Sequence, residues 1–360
     1  MICDTLECQG FAEAVPVGGG AFRLQRVPES LRAVINAAAQ RKVLSPACNE
    51  LRCVSEDGRV RLTLSSPEGE ILVVPFYGCF QHGGTWRVGG EPVTIAVEAP
   101  PRPFEIGAKA LGDMPYAPQV CRFLLHGGGQ VVLHRVEGTG LRPPMPGELP
   151  RLRLLTYGTS ITHGAKATMP HLSFVRQLAW RLGADLVNLG VGGACLCEPA
   201  FADYIASRTD WDVALLSLSV NMIGKGFTPE EFSQRVAYMV HTVAGADTSR
   251  PVVCATICPH FRDYLPADHP SQGKAMPEEY RRRLRCAVAE CPHPNVTLVE
   301  GRDILDDIGG LSGDARVQAV LIGFAFGAFL EGAGITPGRA LETLEEEALS
   351  LERLPGRGVA

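Results

Sequence analysis

The sequence has no long hydrophobic run, no excess of basic residues and no leader-like start. Its longest uncharged apolar stretch, AVLIGFAFGAFL at 319–330, is shorter than the about 20 residues that a helix needs to cross a bilayer. Lys and Arg (34) are outnumbered by Asp and Glu (39), so a concentrated basic surface for nucleic acid or an anionic membrane is not expected. The first residues, MICDTLECQGFAEAV, lack the basic segment and apolar core of a secretory signal. We therefore expect a cytoplasmic protein that acts on a small molecule and binds neither nucleic acid nor membrane.

The 12 cysteines do not indicate a disulfide framework, because they are spread over 360 residues without an export signal. They are instead typical of reduced, mostly buried thiols. Cys254 and Cys258, with His260 nearby, have the residue types of a metal site, but no second ligand pair follows them. The sequence therefore favours buried thiols over a metal centre.

The first part of the chain has the alternation of half-buried β-strands. In RVRLTLS (59–65) and in VTIAVEA (93–99), every second residue is apolar. Two further apolar runs are joined by Gly127 to Gly129, a spacing that predicts a hairpin. With one helical segment at about 29–40, this pattern indicates an antiparallel β-sandwich over residues 1–148, which ends in the Pro- and Gly-rich linker TGLRPPMPGELP at 139–150.

From about residue 149 the chain changes to alternating strands and helices. The predicted strands are LRLLTY, DLVNLG, WDVALLSLS, PVVCATI and VTLVE. Between them lie amphipathic stretches, one of which opens with a capping box formed by Thr228 and Glu231 around Pro229. Repeated β-α units predict a parallel sheet with helices on both faces over residues 149–360, and such sheets place their sites at the carboxyl ends of the strands.

Three polar or glycine-rich segments follow neighbouring strands of this sheet. Ser160 lies in LLTYGTSITHGAK (154–166), Gly193 in VNLGVGGAC (187–195) and Asn221 in SLSVNM (217–222). A phosphate-binding loop is excluded because His163 stands where its second glycine would be needed. Ser160 alone could be a helix cap, but a serine, a glycine amide and an Asn amide together are the components of an oxyanion hole.

On these blocks, residues 151 to about 314 resemble the SGNH (GDSL-like) hydrolases. YGTSITHG corresponds to the first block of that family, VNLGVGG to the second and SVNM to the third, although Met222 stands where an aspartate usually follows the asparagine. Met222 is a variation seen in relatives with a sandwich domain in front. The resemblance implies a flavodoxin-like three-layer α/β/α domain, preceded here by a jelly-roll-like β-sandwich, as in acyl esterases and acyltransferases that act on sugars or natural products.

By this resemblance Ser160 is the nucleophile that attacks an ester carbonyl. The amides of Ser160 and Gly193 and the side chain of Asn221 would hold the oxyanion, and the acyl-serine would then react with water or an alcohol. The implied partner is a small ester or an acylated sugar, and neither a cofactor nor a metal is implied.

The last block of the family, Asp-x-x-His, is missing. Asp314 is the best candidate for its aspartate, but Val317 stands three residues on and no histidine follows His293. One explanation is a reading-frame change near Asp314, which makes the tail from about 314 atypical. Another is a substitute base, either His269 beside Asp268 or His163. A third is a catalytically impaired protein that only binds carbohydrate.

Overall fold

The computed structural model describes residues 1–305 apart from 113, 166, 219 and 271–276. The strands of its first part are β1 Ile2–Cys3, β2 Leu6–Gln9, β3 Glu13–Gly18, β4 Ala21–Gln25, β5 Ala47–Cys53, β6 Arg59–Ser65, β7 Ile71–Tyr77, β8 Phe80–Gln81, β9 Trp86–Val88, β10 Val93–Glu98, β11 Cys121–Gly127 and β12 Val131–Glu137. Its helices are α1 Glu29–Arg32, α2 Ala37–Lys42, α3 Arg102–Glu105 and α4 Ala108–Leu111.

These strands form two antiparallel sheets packed face to face. One sheet has the order β1-β2-β5-β11-β7-β8, with β9 also paired to β7, and the other has the order β10-β6-β12-β4-β3. The residues whose alternation predicted strands, such as Leu62 and Leu64 in β6 and Ile95 in β10, are fully buried between them. The predicted β-sandwich is confirmed.

The hairpin predicted at Gly127 to Gly129 is wrong. β11 pairs with β5 and β7, whereas β12 pairs with β4 and β6, so the chain crosses here from one sheet to the other. Gly127 and Gly129 are needed for the crossing itself, because a Cβ on either would lie 2.5 Å from a carbonyl oxygen, that of Glu70 or of Gly69. Consecutive strands joined by glycines are thus compatible with a corner as well as with a hairpin.

The second part of the chain is a parallel α/β/α unit. Its strands are β13 Leu152–Gly158, β14 Ala184–Asn188, β15 Val213–Ser217, β16 Val252–Ala255 and β17 Val296–Val299, and its helices are α5 Ser160–His163, α6 Phe174–Arg181, α7 Pro199–Ser207, α8 Val220–Gly224, α9 Pro229–Ala246, α10 Pro277–Ala289 and α11 Gly301–Ile304. The strand order is β14-β13-β15-β16-β17, and every pair is parallel. This order reverses direction at β13, as in the flavodoxin-like fold, and confirms the predicted fold class.

Apolar side chains cover both faces of the parallel sheet. On one face α7, α9 and α10 pack through residues such as Phe201, Val236 and Leu284. On the other face α6 packs through Phe174 and Leu178, together with residues from the sandwich.

No helix among the described residues is long and apolar enough to cross a membrane. The predicted domain division at 148/149 stays a prediction, since the apolar clusters on the two faces of the parallel sheet each contain residues from both sides of that boundary.

A buried ionic cluster joins the sandwich to the parallel-sheet part of the chain. It consists of Glu50, Arg52, Arg122, Arg176 and Asp185, and we call it the interface cluster. Arg52 on β5 forms two hydrogen bonds with Asp185 on β14, at 2.8 and 2.5 Å. The Glu50 carboxylate accepts from Arg52 and Arg122 and lies 2.8 Å from Arg176 on α6. Burial alone would raise the pKa of Glu50, but the three guanidinium groups outweigh it and hold this pKa well below the ordinary value.

Candidate active site

The turn after β13 brings Ser160 to the carboxyl edge of the parallel sheet. Thr159 caps α5, because its hydroxyl accepts the Ile161 N–H at 3.4 Å, and Ser160 is the first helical residue. The helix-capping role that the sequence allowed for Ser160 is therefore filled by Thr159. Gly158 is required for the tight turn, since a Cβ there would lie 2.3 Å from the Thr162 hydroxyl and 2.6 Å from the Ser217 carbonyl oxygen.

The glycine-rich loop after β14 passes directly beside Ser160. A Cβ on Gly192 would be in van der Waals contact with the Cα and Cβ of Ser160, at 3.4 Å, so the backbone of the loop lies next to the serine. Gly193 adopts a positive φ of 72°, a conformation that favours glycine. Asn188 holds the start of the loop, donating to the Thr162 carbonyl at 2.7 Å and accepting from the Gly190 N–H at 2.8 Å.

Asn221 lies on α8, directly after the third strand of the sheet. Its Oδ1 accepts the Cys195 N–H at 3.2 Å. Because the oxygen is used in this way, the orientation of the amide is fixed and its NH2 group is the end that remains for a ligand. The loop after β14 thus positions the asparagine as well as supplying Gly193.

Ser160, Gly193 and Asn221 line one cavity of about 540 Å³. This volume lies in the ordinary range for small-molecule sites. The other lining residues are mainly apolar and come from the segments after β13, β15 and β16, with basic side chains among them: Thr159, Ile161, Phe174, Ser217, Leu218, Val220, Ile223, Gly224, Lys225, Ala255, Thr256, Ile257, Cys258, Pro259, His260, Phe261 and Arg262. The predicted edge of the sheet therefore holds a formed pocket.

The two histidines proposed as substitute bases lie away from this wall. His163, the last residue of α5, is buried, and its Nδ1–H donates to the Gly190 carbonyl at 3.0 Å. Burial, with smaller contributions from Arg26 and His126, lowers its pKa well below the ordinary value. His269 does not line the cavity, and its backbone N–H donates to Pro266 at 3.0 Å. Asp314 lies outside the described residues, so the assignments of base and acid stay predictions.

His260 lines the cavity and was missed as a site residue by the sequence reasoning. Its Nδ1 accepts the Arg262 N–H at 3.2 Å, and its own backbone N–H donates to Asp263 at 2.9 Å. In the neutral ring the proton therefore sits on Nε2, which makes that nitrogen a donor. The feature of the sequence that could have identified His260 is its position shortly after β16, at the same edge of the sheet as Ser160.

Of the two thiols near this site, Cys254 is buried, whereas Cys258 is half-buried in the wall of the cavity. Burial raises the pKa of Cys258 to about 12, and it also raises the pKa of Cys254. No group of three metal-ligating side chains occurs within the described ranges. The sequence prediction of a buried thiol fits Cys254, whereas Cys258 is only half-buried.

Residues 152–283 match the model of the GDSL-like Lipase/Acylhydrolase family. No curated protein matches the chain significantly.

Several solved structures share the fold over nearly their whole length. A salicylyl-acyltransferase from a tetracycline biosynthetic pathway is 16% identical with a TM-score of 0.76, covering 93% of this chain and 97% of the other. A putative GDSL-like lipase from Bacteroides ovatus is 14% identical with a TM-score of 0.65, covering 92% and 96%. A family two carbohydrate esterase from Clostridium thermocellum is 12% identical with a TM-score of 0.59, covering 91% and 98%.

These similarities extend over both parts of the chain, the sandwich as well as the parallel sheet. At such low identity they establish the fold alone. The resemblance predicted from the three blocks is confirmed: residues 152–283 match the GDSL-like lipase/acylhydrolase family, and an antiparallel β-sandwich precedes them.

Proposed function

We propose that this protein is an esterase or acyltransferase that uses Ser160 as its nucleophile and forms an acyl-serine intermediate. The observation that carries the proposal is the convergence of Ser160, Gly193 and Asn221 on one cavity, with the Asn221 amide oriented by its bond from Cys195. Ser160 sits on a turn that leaves its capping role to Thr159.

In this mechanism the Ser160 oxygen attacks the ester carbonyl carbon and its proton passes to a base. The negative charge that develops on the carbonyl oxygen is stabilised by the amides of Ser160 and Gly193 and by the NH2 group of Asn221. Collapse of the tetrahedral species breaks the ester bond and releases the alcohol. The acyl group then passes to water in an esterase, or to a second alcohol in an acyltransferase.

The substrate we propose is a small ester, with an acylated sugar or natural product as its class. Support comes from the cavity volume of about 540 Å³, from its largely apolar wall and from Phe261, an aromatic residue that is 40% exposed and lines the cavity. Such a ring can stack on a sugar or an aromatic group. Relatives of similar fold carry the names of a salicylyl-acyltransferase and of carbohydrate esterases, one of the latter in complex with cellohexaose.

A second candidate is a catalytically impaired protein that binds an acylated sugar without turning it over. It is favoured by one observation, the absence of any histidine after His293 and hence of the Asp-x-x-His block. Without a base, a serine hydroxyl is a weak nucleophile.

A fluorophosphonate probe with mapping of the labelled peptide distinguishes the two. We expect Ser160 to be labelled, and Ser160→Ala to abolish both labelling and hydrolysis of a small acetyl ester. Ser207→Ala, at the exposed end of α7, is the matched control and should change neither.

Labelling of another residue such as Ser217, or turnover that persists in Ser160→Ala, would contradict the assignment of the nucleophile. If the wild-type protein is neither labelled nor active while it binds an acetylated glycan, the impaired alternative is correct. The His260→Ala and His269→Ala variants, assayed in parallel, show whether either imidazole accelerates labelling.

A further inference from the structure

The segment between β4 and β5 packs against the parallel-sheet part of the chain. We call residues 26–45, which contain α1 and α2, the α1-α2 segment. Its apolar side chains belong to the same buried cluster as Phe201 of α7 and Val236 of α9: Val27, Leu31, Ile35, Ala39 and Val43. The segment thus belongs to the first part of the chain by sequence, but to the core of the second part by packing.

The same cluster contains the loop that carries Gly193. We call residues 189–197 the oxyanion loop, and its apolar residues are buried in the cluster: Leu189, Val191, Ala194, Cys195, Leu196 and Cys197. Gly193 itself is exposed and lines the cavity. The position of its backbone therefore depends on what the neighbouring loop residues pack against and bond to.

Arg26 fixes the start of the oxyanion loop. This arginine directly follows β4 and is fully buried. Its guanidinium donates to the Asn188 carbonyl at 2.9 Å and to the carbonyls of Lys42 and Ser45 at 2.7 and 2.8 Å. One side chain therefore ties the last residue of β14 to the α1-α2 segment.

Asn36 contacts the other end of the oxyanion loop. Its Oδ1 caps α2 by accepting the Ala39 N–H at 3.0 Å, which fixes the orientation of the amide. Its NH2 group donates to the Ala194 carbonyl at 3.1 Å and to Glu198 at 2.7 Å. The backbone N–H of Asn36 also donates to Glu198, at 2.8 Å, so the asparagine is held where it meets the loop.

The peptide unit between Ala194 and Cys195 is bonded on both of its sides. Asn36 donates to its carbonyl oxygen, and its N–H, which belongs to Cys195, donates to Oδ1 of Asn221. A peptide unit is planar, so its C=O and N–H cannot rotate independently. Fixing the carbonyl oxygen therefore also fixes the N–H that orients the Asn221 amide.

We propose that Asn36 is a positioning residue for the oxyanion hole and acts through this peptide unit on Asn221. The inference rests on the proposed function and adds a residue from the first part of the chain to it. It also gives the α1-α2 segment a role in catalysis, because this segment holds the oxyanion loop at both ends while Gly193 stays exposed to a ligand.

Asn36→Ser tests the proposal with little disturbance of the helix. Serine is about as good an N-cap as asparagine, so α2 keeps its cap, but the NH2 group that donates to Ala194 is lost. We expect kcat for a small acetyl ester to fall roughly 5- to 50-fold, less than on loss of a donor, because Asn221 is present but no longer held in place. KM should stay within about twofold, since the oxyanion forms only in the transition state.

Gln40→Ala is the matched control for this variant. Gln40 lies on the same helix, and its side chain donates to the Ile35 carbonyl within the α1-α2 segment. We expect kcat and KM of this control to stay within about twofold of wild type. A kcat of Asn36→Ser that is no lower than that of Gln40→Ala would overturn the proposal.

Combination with Asn221→Ala separates positioning from a general loss of stability. If Asn36 acts through Asn221, then Asn36→Ser should slow the Asn221→Ala variant by less than about twofold. A merely structural role would slow both backgrounds equally. A larger loss in the Asn221→Ala background would therefore also overturn the proposal.

Hydrogen exchange at the Cys195 amide, followed by NMR, measures the same contact without a substrate. We expect exchange to become roughly 2- to 12-fold faster in Asn36→Ser, the effect of losing one hydrogen bond, and to stay unchanged in Gln40→Ala. Failure of the proposed function is seen separately, as the absence of turnover of any ester by the wild-type protein. In that case faster exchange at Cys195 in Asn36→Ser supports the inference, and an unchanged rate refutes it.

Discussion

Replacing Asn221 by aspartate tests the oxyanion hole without removing the contact that orients this residue. In the structure Oδ1 of Asn221 accepts the Cys195 N–H at 3.2 Å, and a carboxylate oxygen can accept the same bond. The NH2 group is lost, and an oxygen takes its place beside the developing oxyanion. The Asn221→Asp variant therefore separates the donor function from the structural one.

The expected loss follows from the strength of such donors. Removal of one oxyanion-hole donor typically lowers kcat by roughly 100- to 1000-fold, or about 2.7 to 4 kcal/mol of transition-state stabilisation. Repulsion between the new carboxylate and the oxyanion makes the loss in Asn221→Asp at least as large. Because the interaction is formed mainly in the transition state, kcat and kcat/KM should fall together with little change in KM.

Asn221→Ala is the companion variant. It loses the same donor but also leaves the Cys195 N–H without its acceptor, which costs about 1 kcal/mol of stability. We expect both variants to be slow, and only the alanine variant to melt at a lower temperature. The assay is steady-state hydrolysis of an acetyl ester, with thermal unfolding followed on the same preparations. A kcat of Asn221→Asp within about fivefold of wild type would refute the assignment of Asn221 as an oxyanion donor.

Two further predictions concern Glu50 and His126, neither of which is among the residues that line the cavity. Glu50→Gln leaves the guanidinium groups of the interface cluster without their shared carboxylate, and we expect a loss of about 3 to 5 kcal/mol in the free energy of unfolding, measured by urea denaturation; a loss below about 1 kcal/mol would contradict it. Burial, and secondarily Arg26, lowers the pKa of His126 to about 4, whereas it is about 6.5 in the unfolded chain. The unfolded state therefore binds the extra proton, so this contribution to stability is complete above pH 6.5 and is lost as the pH falls towards 4. At pH 5 the loss is about 2 kcal/mol, and His126→Gln should show a shallower fall between pH 7 and pH 5 than wild type.

The position of the candidate site could be predicted from short segments of sequence. Ser160, Gly193 and Asn221 each follow an apolar strand, and the capping box of Thr228 and Glu231 marks the next helix where the structure has it. These signals are local, because strand periodicity and helix caps depend on residues a few positions apart. Parallel strands then bring their carboxyl ends to one edge, so the convergence of three separate segments follows from the fold class.

Other features depended on contacts between residues that are distant in the chain. Glu50 and Arg52 lie in a strand whose sequence does not show that they are buried, and their partners Arg176 and Asp185 are more than 120 residues away. The separation of β11 and β12 into opposite sheets depended on which strands they pair with, because glycines permit a corner as readily as a hairpin. The sequence alone determined the parallel-sheet domain and the three residues at its edge. Only the tertiary structure decided that His260, Lys225 and Arg262 share their cavity, because loop packing brings these residues together and no local pattern records it.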